Sequence, residues 1–111
     1  MKTYYLAVDL KDDKELIEAY EAHHKNVSAA IIESITSSGI VGMDIYRTGN
    51  RLFMVMTTTD EFSFDEKGKA DATNPAVEEW ETLMDRYQQR LPWSAAGEKW
   101  VLMEKIFALP S

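Results

Sequence analysis

LIEAYEAHHKNVSAAIIESI, residues 16–35, is the stretch whose reading decides the fold. Leu16, Tyr20, His24, Val27, Ile31 and Ile35 recur at steps of four and three, the period of one helix face. The run predicts a helix that lays this face on a sheet. Asp12 or Asp13 can cap its start, and acidic residues in the first turn suit the helix dipole. The helix is expected to end near Ser38, where Gly39 can take the left-handed terminal conformation. Asn26 and Ser28 are weaker helix formers than their neighbours, so the same pattern allows a break just after His24.

On either side of this stretch the period changes from helix to strand. Thr3 to Leu10 is short and rich in aromatic and branched residues, with Tyr4, Leu6, Val8 and Leu10 on one face and Tyr5, Ala7 and Asp9 on the other. Ile40 to Arg47 and Arg51 to Thr59 read as strands joined by the turn Thr48-Gly49-Asn50, an antiparallel hairpin. Asp60 to Thr73 is polar and reads as a mobile or functional loop, with Phe62 and Phe64 as anchors. Asn74-Pro75 starts a second helix whose face is Val77, Trp80, Met84, Tyr87 and Leu91, stopped by Leu91-Pro92. Lys99 to Leu109 reads as a fourth strand, with Trp100, Leu102, Glu104 and Ile106 facing away from Val101, Met103 and Phe107. The order strand, helix, strand, strand, helix, strand is an α+β split βαβ pattern over a single domain, residues 1–111. A four-stranded antiparallel sheet with two helices on one face satisfies it. The strands carry apolar residues on both faces, so the uncovered face predicts pairing of two copies as a homodimer.

Composition narrows the class. At 111 residues the chain can bury roughly 60–70% of its unfolded surface, enough for one core. Its 19 acidic and 12 basic residues give a net charge of -7, and no basic run is present, which argues against nucleic acid as a partner. There is no cysteine, hence no disulfide and no thiolate chemistry. MKTYYLAVDLKDD lacks the apolar core of a signal peptide, and no apolar run is long enough to span a bilayer. The expectation is a cytoplasmic protein with no membrane partner.

Few residues offer chemistry. No metal site is expected: HExxH is absent, and His23 and His24, adjacent on a helix, point about 100° apart. GxxxxGK[ST], GxGxxG and GxSxG are absent too. Tyr20 and His24 remain, one turn apart on the face expected to meet the sheet. Histidine exchanges a proton near neutrality, and a tyrosine hydroxyl can orient a substrate or act as a second acid. The plainer reading of His24 is a satisfied core or edge residue, and His23, one step off the face, reads as solvated. Trp80 and Trp100 read as core by pattern, though an indole face also stacks on sugar C–H surfaces.

Taken in order, several motifs carry a resemblance that covers essentially the whole chain. They are the strand YYLAVDL, Tyr20-x-x-x-His24, the hairpin IYRTGNRLFMVM, Trp80 late in the chain, and the terminal Phe107-Ala108-Leu109-Pro110. Together they resemble the L-rhamnose mutarotase family, including its L-fucose mutarotase relatives. The resemblance implies a ferredoxin-like fold, a dimeric α/β barrel, and cofactor-free interconversion of 6-deoxyhexose anomers. It places His24 at the proton-donating histidine, Tyr20 at a substrate-binding tyrosine, and Trp80 at the first of two consecutive pocket tryptophans. Two positions depart from the pattern. Glu81 stands where the second tryptophan is expected, and Met43 stands where the second strand carries a pocket tyrosine. Both become candidate sugar-binding residues. With TGNRLFM and LPWSAAGEKWVLMEKIF, they favour L-fucose over L-rhamnose. Rival readings from other classes are a small dimeric ferredoxin-like oxygenase or haem-degrading enzyme, and a non-catalytic metabolite-binding module.

Overall fold

In the computed structural model, which describes residues 1–110, the elements run β1 (Lys2–Leu10), α1 (Lys14–His23), α2 (Ala29–Ser37), β2 (Ile40–Thr48), β3 (Arg51–Thr58), α3 (Phe64–Ala72), α4 (Pro75–Asp85), β4 (Gln88–Gln89) and β5 (Val101–Leu102). β1 sits inside an antiparallel sheet, with β3 and then β2 on one side. Its other edge is shared by β4, beside Asp9 and Leu10, and β5, beside Leu6 and Ala7. This is the α+β, ferredoxin-like arrangement, with the first expected helix divided in two, a further helix in the expected 60–73 loop, and the second helix and last strand shorter than expected.

The strand alternation explains the core. Leu6, Val8 and Leu10 of β1 and Leu52, Met54 and Met56 of β3 all turn to the helix side and are buried. Tyr20 of α1 and Met84 of α4 pack there against Val8, Leu10 and Leu52, while Ile40 and Phe62 close the cluster around Leu6, Met54 and Met56. Fully burying a side chain such as Leu10 or Leu52 contributes ~1.5–3 kcal/mol. The opposite sheet face carries Tyr5, Phe53 and Tyr46, whose rings stand 6.1 and 6.3 Å apart in successive pairs. Tyr5 and Tyr46 are 45% and 58% exposed, so this apolar face is open in the single chain. Asp9, buried on the same face, is held by a two-pronged ion pair to Arg51 at 2.7 and 3.1 Å.

Local chemistry sets the boundaries. Asp13 caps α1, its carboxylate accepting from the Glu15 and Leu16 amides at 2.9 and 3.1 Å. Gly49 takes φ +55 in the two-residue loop between β2 and β3. Gly39 takes φ +102, and a Cβ there would lie 2.9 Å from the Thr59 hydroxyl, so the entry to β2 requires glycine.

Four expectations change. The helix over residues 16–35 breaks at His24, the C-cap of α1, and restarts behind Ser28, whose hydroxyl accepts from the Ile31 amide. The loop expected over 60–73 contains α3, capped by Ser63. Its anchors do pack: Phe64 meets Tyr4 edge-on at 4.9 Å and Phe62 at 5.0 Å. The helix expected to reach Leu91 ends at Asp85, because the chain must turn to bring Gln88 and Gln89 beside β1. The strand expected over 99–109 is only Val101–Leu102, extended by one bond from the Met103 amide to the Tyr5 carbonyl at 2.8 Å. Beyond it Ile106, Phe107 and Leu109 are 94%, 70% and 82% exposed, with no neighbouring strand to pair. Among the described residues no helix is long and apolar enough to cross a membrane.

Candidate active site

Between the helix layer and the sheet lies a cavity of about 810 Å³. That falls within the ~300–1,000 Å³ range of small-molecule sites. Tyr20, His24, Met43, Trp80 and Glu81 all line it. The period that puts Tyr20 and His24 on one face of α1 turns both toward β1. Met43 reaches the cavity from β2, opposite Met56, and Trp80 and Glu81 reach it from α4.

His24 is fixed by its position. As the C-cap of α1 it lies beside carbonyls with no helical partner of their own. Its Nδ1 stands 2.9 Å from the Tyr20 carbonyl, an acceptor, so Nδ1 carries the proton and donates it. Nε2 is therefore the nitrogen left for a ligand, and its lone pair is free when the ring is neutral. The imidazole is flanked by the Tyr20 ring at 4.3 Å and, edge-on, by the Trp80 ring at 5.3 Å.

Tyr20 is 3% exposed. Burial pushes its hydroxyl up to about 12; the nearby Gln88 amide pulls the other way, and the Glu81 charge adds to the rise. The hydroxyl therefore stays protonated across the physiological range and serves as a donor, not as a base. Trp80 is half-buried, so part of its indole is core and part is cavity wall. Glu81 is exposed, and its Oε2 is held by the Lys99 ammonium at 2.5 Å, which also meets Asp85 at 2.8 Å. Its other oxygen is not used in that pair.

His23 departs from its expected solvated place. It is half-buried, and its Nε2 lies 3.1 Å from the Tyr87 hydroxyl; neither side chain lines the cavity. Further polar side chains that the sequence did not single out also line the cavity, among them Gln88 and Glu98. Gln88 follows Trp80 and Met84 at steps of four, a spacing that does point to one side of the chain. Trp100 adds a second indole to the wall. Among the described residues no group of three or more His, Asp or Glu side chains could hold a metal ion.

Comparison with known proteins places the chain in a family. The family model for L-rhamnose mutarotase matches residues 3–109. The L-fucose mutarotase of Xanthomonas campestris pv. campestris is 40% identical over 111 residues, covering 98% of this chain and 89% of that protein. Among solved structures, the L-rhamnose mutarotase of Formosa agariphila superposes with a TM-score of 0.71 at 16% identity, over 99% of this chain and 100% of its own. A dimeric ferredoxin-like protein from an uncultured marine organism superposes at 0.54 and 12% identity, over 97% of this chain and 91% of its own. These two likenesses concern the fold alone. With the family model spanning nearly all of its length, the chain belongs to the L-rhamnose mutarotase family.

Proposed function

We propose that this protein interconverts the α and β anomers of a 6-deoxyhexose by acid–base ring opening, with L-fucose preferred over L-rhamnose. The observation that carries the proposal is the setting of His24. Its Nδ1–H is committed to the Tyr20 carbonyl, so one nitrogen is left to exchange protons beside a protonated phenol and an indole edge.

Mutarotation opens a cyclic hemiacetal, turns the aldehyde about its C1–C2 bond and closes the ring on the other face. Opening removes the proton of the anomeric hydroxyl and delivers one to the ring oxygen. Closure reverses both transfers, so no proton or electron is consumed. In the proposed mechanism His24 supplies the acid at the ring oxygen through Nε2 in its protonated form, and returns to the neutral form. The Tyr20 hydroxyl donates to a sugar oxygen and holds the ring beside His24. Trp80 covers an apolar C–H face of the sugar. Positioned acid–base groups of this kind contribute ~10²–10⁴-fold, which suits a reaction that already proceeds unaided in water.

The preference for L-fucose is supported by the 40% identical L-fucose mutarotase. Glu81 and Met43 agree with it, one adding acceptors and the other removing a phenol where the rhamnose-type pattern has an indole and a tyrosine. The same proposal includes a homodimer, since Tyr5, Phe53 and Tyr46 form an open apolar face of a size that a second sheet would cover. Saturation-transfer NMR on L-fucose, L-rhamnose and unrelated aldoses reads exchange between anomers directly. Acceleration of L-fucose above L-rhamnose is expected. A reversed order makes the protein an L-rhamnose mutarotase, and exchange at the buffer rate for every sugar defeats the reading.

A further inference from the structure

Gln88 stands at the start of the short β4 strand, just beyond α4, and is 9% exposed. It lines the cavity that holds Tyr20 and His24. Its Oε1 is buried with no hydrogen-bond partner, alone in this among the described side chains. A carboxamide oxygen is an acceptor that apolar neighbours cannot satisfy. A buried acceptor left unpaired is costly, and a protein that keeps one commonly does so at a place where a ligand completes it. The last torsion of a glutamine is soft, so Oε1 can swing toward the cavity without moving the backbone.

We propose that Gln88 is a sugar-contacting residue: its Oε1 accepts a hydrogen bond from a ring hydroxyl of the bound 6-deoxyhexose. The inference rests on the mutarotase reading for the identity of the sugar, and on the orphaned oxygen for the contact. Because Oε1 accepts from a hydroxyl in one particular direction, it discriminates between sugars that differ in ring stereochemistry.

Gln88→Met and Gln88→Leu keep the approximate volume and remove both polar ends. If the oxygen is unpaired in the free protein, both variants melt at the wild-type temperature or above it. A side chain whose role is structural would give the opposite sign. L-fucose binding, read by titration calorimetry, should weaken about 3- to 10-fold, the effect of one neutral hydrogen bond. In saturation transfer KM should rise, and the ratio of L-fucose to L-rhamnose rates should fall toward one. Lower melting temperatures in both variants overturn the premise that Oε1 lacks a partner. Unchanged affinity and an unchanged rate ratio overturn the contact. The calorimetric arm separates the two readings: if the wild type binds L-fucose but leaves its anomers exchanging at the buffer rate, mutarotation fails, while weaker binding in the variants still upholds the contact. If the wild type does not bind L-fucose at all, both fail.

Discussion

Replacing Tyr20 by Phe tests how deeply the phenol is buried, and the structure sets both sign and size. Burial pushes the hydroxyl from 10.0 to about 12 in the folded chain. Below pH 10 the group is protonated folded and unfolded alike and adds no pH dependence. Between pH 10 and about 12 the unfolded chain loses this proton while the folded chain keeps it. The folded state then binds more protons, so stability falls as pH rises. Two pH units at about 1.4 kcal/mol each amount to roughly 2–3 kcal/mol, and no solvent discount applies to a residue 3% exposed. Tyr20→Phe lacks the group and escapes that loss. At pH 8 the two proteins should differ by no more than ~1 kcal/mol, since one partly satisfied hydroxyl is removed. At pH 11 the variant should have gained roughly 1–2 kcal/mol on the wild type. Urea midpoints followed by tryptophan fluorescence at pH 8, 9, 10 and 11 measure this. The difference between the two proteins cancels every other tyrosine and lysine. A constant gap across that range, or a wild type that gains on the variant, would refute the reasoning. In exchange assays Tyr20→Phe should bind sugar more weakly or turn it over more slowly at pH 7.

His24→Ala should remove most of the catalysed exchange, of order 10²-fold or more, and cost ~1 kcal/mol through the lost bond to the Tyr20 carbonyl. His23→Ala should leave saturation-transfer rates near wild type, because His23 faces Tyr87; a dead His23 variant beside an active His24 variant would reverse the assignment. Glu81→Gln or Glu81→Trp should narrow or invert the ratio of L-fucose to L-rhamnose rates, and unchanged ratios in both leave Glu81 only its ion pair with Lys99. Light scattering at micromolar concentration should return twice the 12.7 kDa of one chain, and a mass near 12.7 kDa defeats the dimer.

Much of this architecture was legible where apolar residues recur with a clear period. Leu6, Val8 and Leu10 alternate, and Tyr20, His24 and Ile31 step by four and three or seven. Period failed where an element buries little. α3 has no buried residue and carries Gly68 and a charged surface, so hydrophobic spacing says nothing about it. Its one local signal is Ser63-x-x-Glu66, the pattern of a capping box, with the Glu66 amide bonded to the Ser63 hydroxyl at 3.2 Å. β4 and β5 are two residues each, too short to show alternation. Gln88 was passed over for a related reason. It lies past the end of α4, and although its steps of four from Trp80 and Met84 point to one side, a lone polar residue there reads as solvated. Helix phase singled out Tyr20, His24 and Trp80, the resemblance alone added Met43 and Glu81, and all five line one cavity.

The interruption after His24 links the fold to the chemistry. In an unbroken helix the Tyr20 carbonyl would accept the backbone N–H of residue 24, four positions on. Here the last turn tightens: the His24 N–H goes to the Glu21 carbonyl at 3.1 Å and the Lys25 N–H to the Ala22 carbonyl at 3.2 Å. The Tyr20 carbonyl becomes available, and His24 Nδ1–H takes it. A helix end that needs a side-chain partner thus selects one imidazole tautomer, and that tautomer leaves Nε2 unprotonated in the neutral ring, as the proposed mechanism requires. Asn26 and Ser28, poor helix formers, make the break inexpensive, and Ser28 restarts the chain as the cap of α2. Extending the first helix through Ser28 would keep Tyr20 and His24 at the same spacing on the same face. It would also return the carbonyl to the backbone and free Nδ1 to compete with Nε2 for the proton. The spacing of Tyr20 and His24 aims the two rings, and the break between α1 and α2 determines which nitrogen of His24 carries the proton in the neutral ring.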